Sequence, residues 1–398
     1  MRGGRDTLRV RTVVRHRLLC LTAAFVSSAC SLDRGKDIKP TATSDSLQQP
    51  SEETTLAPTQ QIVARQSAVR FRLVPLQTCS SNGFTLPLVS ADGVFAAVQS
   101  SGGTRWQSLL ASPTEAGVDG GRVTIHNLLT GASNNVPGDD LLLGRTADAQ
   151  GCLIESPRPD GSRWIGVAPW TGGEPQWLVQ GEQVNAFASG GPEDRLVWCR
   201  RDRTTTNFDL VIRHPDGEQV ISAPEDGSWI GPQFTGDGRW IVVLRFRDGT
   251  LSACCFAVGV RVAETPERVL DLSWRATASM AYQTVIPQRM HLLGGAQWAL
   301  FHPRFLRVGL WDVGSGQSAL LGRRSLSLVQ LDTEQALVAT TEGLELASMT
   351  TGAPTGDATQ LLSRVWVPLM RVATDRAVIA RPRGSQIDIT RIELLQPD

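Results

Sequence analysis

Lysine is nearly missing from this chain: Lys36 and Lys39 are the only two, and Tyr282 is the only tyrosine among 398 residues. A recognition surface rich in tyrosine is therefore excluded. Charge of one sign is missing as well, because 39 basic residues balance 39 acidic ones. Without a net field to hold a polyanion, no nucleic-acid partner is expected. The chain has no G-x-G-x-x-G and no Walker loop for nucleotides, and no G-x-S-x-G elbow for a hydrolase nucleophile. Neither C-x-x-C nor H-x-x-x-H spacing occurs, and no acidic run fits a calcium loop, so no metal and no cofactor is expected and no catalytic residue is nominated.

Long apolar runs are also scarce. Leu18 to Ala29 is about 12 residues, whereas a spanning helix needs roughly 20. It follows a stretch holding Arg2, Arg5, Arg9, Arg11, Arg15 and Arg17, the order of a secretory signal over residues 1–29. The run closes on Val26-Ser27-Ser28-Ala29-Cys30, which resembles the lipobox of bacterial lipoproteins, although Ser27 replaces the usual aliphatic residue. The resemblance implies that Cys30 becomes the lipidated first residue of the mature chain, with Ser31 favouring the outer membrane; cleavage as a plain secretory signal is the alternative. Residues 30–65 are rich in Ser, Thr, Pro, Gln and acids and cannot bury enough apolar surface to offset their ordering entropy. They read as a disordered tether with a reach of about 30–35 Å.

Residues 66–398 are organised by one recurring phrase. Phe234-Thr235-Gly236-Asp237-Gly238-Arg239-Trp240-Ile241-Val242-Val243-Leu244 reads as strand, tight turn, strand. Equivalent turns fall at Asp92-Gly93, Asp148, Asp194, Gly294-Gly295, Asp332 and Asp375, about 47 residues apart on average. A second phrase alternates with the first, as in Val123-Thr124-Ile125-His126-Asn127-Leu128-Leu129-Thr130-Gly131 and Val308-Gly309-Leu310-Trp311-Asp312-Val313-Gly314-Ser315-Gly316. Two hairpins per repeat make a four-stranded sheet whose two faces need neighbours.

This pair of phrases resembles TolB-type, WD-like repeats, and the resemblance implies an all-β, seven-bladed propeller of four-stranded antiparallel blades. The last repeat is one strand short: Leu369–Thr374, Ala377–Ala380 and Ile387–Leu395 supply three. Val69–Leu76, a strand with no repeat of its own, is expected to complete it and so hide two sheet edges.

Ten of the eleven tryptophans lie in or beside strands and are expected to pack between blades. Outside Cys20 and Cys30 there are five cysteines, Cys79, Cys152, Cys199, Cys254 and Cys255. Export would place them in an oxidising space. A bridge from Cys199 to Cys254 or Cys255 is one arrangement; buried thiols packing as small hydrophobes are the other. His126 and His214 end equivalent strands, which marks a turn position and not a site. Chemistry that strands cannot carry belongs in the loops. The insertions Ser100–Gly121 and Val258–His291, the hairpin with Arg200, Arg201 and Arg203, and the pair Arg323 and Arg324 are the candidates. Those five arginines are the candidate contacts for an anion or an acidic partner.

The expected function is non-enzymatic: a monomeric scaffold held on the bacterial envelope by its lipid and binding an envelope protein there. A propeller lyase, hydrolase or lectin acting on envelope glycans is the competing reading. It requires acidic residues converging on one rim, and the sequence offers no clear pair.

Overall fold

A computed structural model of the chain describes residues 69–395, apart from 83–84, 102–120, 147–149, 276–289, 293–296, 303–306, 321–324, 351–352 and 364–365. The signal segment, Cys30, the tether, Arg323, Arg324, Trp106, the turns at Asp148 and Gly294-Gly295, most of the insertion Ser100–Gly121 and residues 276–289 of the other lie outside the described residues.

The described residues contain no helix and twenty-eight strands. β1 (Arg70–Ser80) comes first, followed by a first group of β2 (Leu88–Val89), β3 (Phe95–Gln99), β4 (Val123–Asn127) and β5 (Ser133–Asn135). The second group is β6 (Leu141–Arg145), β7 (Gly151–Pro157), β8 (Arg163–Pro169) and β9 (Gln176–Val179); the third is β10 (Val184–Gly190), β11 (Leu196–Arg201), β12 (Asp209–His214) and β13 (Gly217–Ile221). The fourth is β14 (Gly227–Phe234), β15 (Trp240–Arg247), β16 (Thr250–Ala257) and β17 (Arg268–Arg275). The fifth is β18 (Met290–Leu292), β19 (Gln297–His302), β20 (Arg307–Asp312) and β21 (Ser318–Leu320). The sixth is β22 (Ser325–Gln330), β23 (Gln335–Thr340), β24 (Gly343–Thr350) and β25 (Ala353–Ser363), and β26 (Val367–Ala373), β27 (Arg376–Arg383) and β28 (Gln386–Leu395) end the chain.

Consecutive strands of each group pair antiparallel, and β26 to β28 acquire a fourth strand because β1 lies beside β28. Apolar clusters run from one group to the next. Phe71, Leu73 and Ile379 of the last sheet pack with Leu337, Leu344 and Leu346 of the sixth group. Cys79, Val378 and Ala380 pack with Ala96 and Val98 of the first. Ala97 and Ile125 meet Leu142 and Ile154 of the second, and one large cluster spans the second to fourth groups and takes in Trp311 and Val313 of the fifth. With β20 against β22, the groups form a closed circuit.

β1 serves both neighbours through a register shift between Pro75 and Gln77. An extra residue there reverses which face the later side chains present. Phe71 and Leu73 therefore enter the cluster shared with the sixth group, while Cys79 enters the cluster shared with the first.

The Asp-Gly turns owe their shape to local hydrogen bonding. The Ser90 hydroxyl donates to Asp92 Oδ1 at 2.5 Å and accepts from the Phe95 N–H at 2.9 Å; the Thr235 hydroxyl does the same with Asp237 (2.6 Å) and Trp240 (3.1 Å). Gly93 and Gly238 have φ of 71° and 67°. A Cβ there would also stand 2.7 Å from Val372 and 2.3 Å from Pro192, so each turn needs glycine both for its backbone and for the neighbouring sheet. A second regularity is a register shift in the first strand of a group, at Leu142/Gly144, Ala186/Ser189, Ile230/Gln233 and Ser325/Ser327.

Candidate functional site

At three of these bulges a second-strand side chain of the preceding group meets a backbone N–H of the bulged strand. Gln99 Oε1 accepts from the Leu142 N–H at 3.3 Å. Glu155 accepts from the Phe187 N–H, and the Cys199 sulfur from that of Gly231. The middle junction, between the second and third groups, is the exceptional one because its acceptor is a carboxylate.

Pairing registers bring charge together there. Val184 of β10 lies between Arg163 of β8, its parallel partner, and Arg201 of β11. Cross-strand partners share a face, so both arginines project to one side. Pro157 is the antiparallel partner of Arg163, and Glu155, two residues along the same strand, shares that side. An Arg163 Nη1 to Glu155 Oε1 ion pair results, with side chains 4% and 0% exposed. Burial pushes the Glu155 carboxyl up, against the pull of the Arg163 charge and the N–H of Phe187. Asn185 Nδ2 donates to the Arg163 carbonyl at 2.9 Å, and Trp198 Nε1 donates to Asn185 Oδ1 at 3.0 Å. Phe187 holds a φ of 59°, a value that Gly231 takes at the corresponding bulge of the fourth group. A phenylalanine in the left-handed region is strained, a cost of about 1–3 kcal/mol; its ring packs edge-on to Phe208 at 5.8 Å.

The arginine hairpin does not act as one patch. β11 runs through Arg201, so Arg200 and Arg201 are still strand residues and face opposite ways. Arg200 turns outward to Glu218 at 3.4 Å. Arg201 turns inward and is 2% exposed. Its Nη1 donates to the carbonyls of Asp202 (3.0 Å) and Thr205 (2.6 Å), and its plane lies 5.2 Å from the Phe208 ring. Burial first, and the Arg163 charge second, lower its pKa to about 10. Arg203 is exposed and donates to the Asp160 carbonyl at 2.7 Å, with the Asp160 carboxylate at 3.6 Å.

Two further polar residues lie close by, Asp140 buried and Arg158 half-buried. Asp140, on the other side of the second group, has its carboxyl pushed up to about 6 by burial, with Ser156 and Arg158 only partly opposing. It meets the first group through its bridge to Gly121, so Asp140 and Glu155, the acids buried at the second group, face different neighbours. Arg158 covers Trp164 at 3.9 Å and Trp177 at 4.6 Å, which occupies the ring faces a glycan would stack on.

The five described cysteines are buried and free, so the candidate bridge from Cys199 to Cys254 or Cys255 is not formed. All three pack as small hydrophobes in the cluster of the third and fourth groups. Burial pushes the Cys254 and Cys255 thiols up to about 11 and about 12. Among the described residues no group of three metal-ligating side chains gathers. His126 Nδ1 lies 3.1 Å from Gln77 Nε2, tying the first group to β1.

Glu155, Arg163 and Asn185 are absent from the residues nominated by sequence. The available signal was a single carboxylate in the apolar run Cys152-Leu153-Ile154-Glu155.

The chain matches no family model and no curated protein by sequence. Solved structures do match. The β-propeller domain of Myceliophteria thermophila Cps50 (Swd1) superposes with a TM-score of 0.52 at 11% identity, over 80% of this chain and 99% of that one. The fold is a β-propeller. A chain of the Mitotic Checkpoint Complex superposes at 0.53 and 10% identity, over 89% and 99%. A putative TolB from Agrobacterium tumefaciens reaches 0.40 at 14% identity, over 83% and 100%. At these identities the likeness is one of fold, and the propeller's sheets agree with the all-β, TolB-type and WD-like expectation.

Proposed function

We propose that this propeller is an exported, lipid-anchored binding module that holds a protein partner at the bacterial cell envelope without catalysing a reaction. The observation that carries the reading is the use made of the buried acids, of which Glu393 is paired with Arg72 and Arg391. Glu155 is committed to Arg163 and to a bulge N–H, while Asp140 faces a different neighbour, so the two do not converge as a glycan-cleaving pair would. The strands are spent on packing, and exposed residues such as Arg203 in the 202–207 loop are left for contact. The occurrence of this fold in a chain of the Mitotic Checkpoint Complex is compatible with a scaffold role.

The envelope part of the proposal rests on the N-terminal arginines, the short apolar run and Cys30. The full chain, expressed in a bacterial host with an alkyne fatty acid, should incorporate label and partition with membranes, and the C30S variant should do neither. Affinity capture of the labelled protein from cross-linked envelopes should return a protein in stoichiometric amount, lost on substituting Arg203 and Arg200. Unlabelled protein in the soluble fraction would overturn the anchor, and recovery of glycan alone would overturn the scaffold.

A further inference from the structure

Arg201 is where the charge does not balance. The junction holds two guanidinium groups and one carboxylate, and Glu155 is taken by Arg163. The influences on Arg201 are its burial and the like charge of Arg163, both of which disfavour its cation. Its Nη1 is used by the 202–207 loop, but its Nε and Nη2 are buried without a hydrogen-bond partner. These two N–H groups form the side-on edge of the guanidinium, parallel donors spaced to take the two oxygens of one carboxylate or phosphate. The group is held in place from two sides, by the loop carbonyls and by the Phe208 ring.

We propose that the side-on edge of Arg201 is the binding site of one small oxyanion, a phosphate, sulfate or short carboxylate, which completes the charge balance at the junction of the second and third groups. Nε and Nη2 are closed to solvent, so an ion reaches them only when the Asp202–Asn207 loop parts, and a folded partner's surface does not reach them. Entry is from the side of the Asp202–Asn207 loop, whose residues Asp202, Arg203, Thr204 and Thr205 are exposed. Arg200 and Arg203 take no part, being turned outward to Glu218 and Asp160. The inference is independent of the envelope reading.

Phosphate, sulfate, acetate and chloride at matched ionic strength are the probes, added to the full chain stripped of oxyanions. Phosphate, sulfate or acetate should raise the melting temperature saturably where chloride does not, and for phosphate the ³¹P line should broaden on addition of protein. R201Q should lose the saturable shift, R201K should weaken binding at least tenfold because a lysine cannot present the fork, and R203Q should bind like the parent. Should R201Q fail to fold, R201K decides. No oxyanion-specific shift in the parent protein, or a shift retained in R201K and R201Q alike, overturns the proposal.

Discussion

Two neighbouring junctions of the propeller solve the same problem with opposite chemistry. Between the third and fourth groups, the N–H of Gly231 meets the Cys199 sulfur within an apolar cluster containing Ile230, Phe256 and Cys255. Between the second and third, the corresponding N–H of Phe187 meets Glu155, and the carboxylate brings with it Arg163, Asn185 and the buried Arg201. Glycine relaxes the first bulge, while a strained phenylalanine holds the second. The fold therefore needs only a filler and a weak acceptor at this position. A buried ion pair is poor evidence of stability, since an apolar replacement of similar volume is often as good. The charged junction exceeds what the architecture demands, which is why it stands out as the site.

Substitutions at the two junctions test that contrast. The largest effect is expected for R163M, which strands Glu155 in the interior and should cost about 3–5 kcal/mol in urea unfolding. C199A at the apolar junction should cost about 1–2 kcal/mol, the scale of a small cavity and a weak acceptor. Closure of the circuit offers a test between these and outright unfolding: removing Val69–Leu76 takes out Phe71 and Leu73, and should lower the melting temperature and expose surface that binds ANS.

Asp140 gives the contrast a pH signature. Its folded pKa, about 6, is above the ordinary value of 3.8 for an aspartate, so the protonated form is favoured by folding. Its contribution is full below about pH 4, is lost as the pH rises to about 6, and is level thereafter. Stability should fall by about 2–3 kcal/mol over that window, and D140N should abolish the slope. His126 works in the other direction and more weakly. Burial lowers its pKa, so its contribution is present above about 6.5 and is lost as the pH falls through the lowered value. H126Q should remove a dependence of about 1 kcal/mol below neutrality, the scale of its bond to Gln77.

What was legible in the sequence was local. A Ser or Thr two residues before Asp-Gly closes its own turn through side chains, so the hairpins at Asp92 and Asp237 announce themselves. A final repeat one strand short calls for a strand from elsewhere, and Arg70–Ser80 lies beside β28. The bulges were not legible, because a shift in pairing depends on the partner strand and leaves no periodic trace in its own. The site depends on those shifts and on register. Glu155 and Arg163 meet across a hairpin, and Arg201 joins them only through the pairing of two different groups. Sequence did hold one unused warning: adjacent Arg200 and Arg201 on a strand cannot both serve a single surface.

The account turns on whether the charges at the second junction are foreign to the needs of the fold. Equilibrium urea unfolding of the E155M/R163M double variant, alongside R163M and the parent, measures this directly. The expected unfolding free energy is within about 1 kcal/mol of the parent's or above it, recovering most of what R163M alone loses. A double variant as unstable as the single one would contradict it and make the ion pair a structural requirement of the propeller.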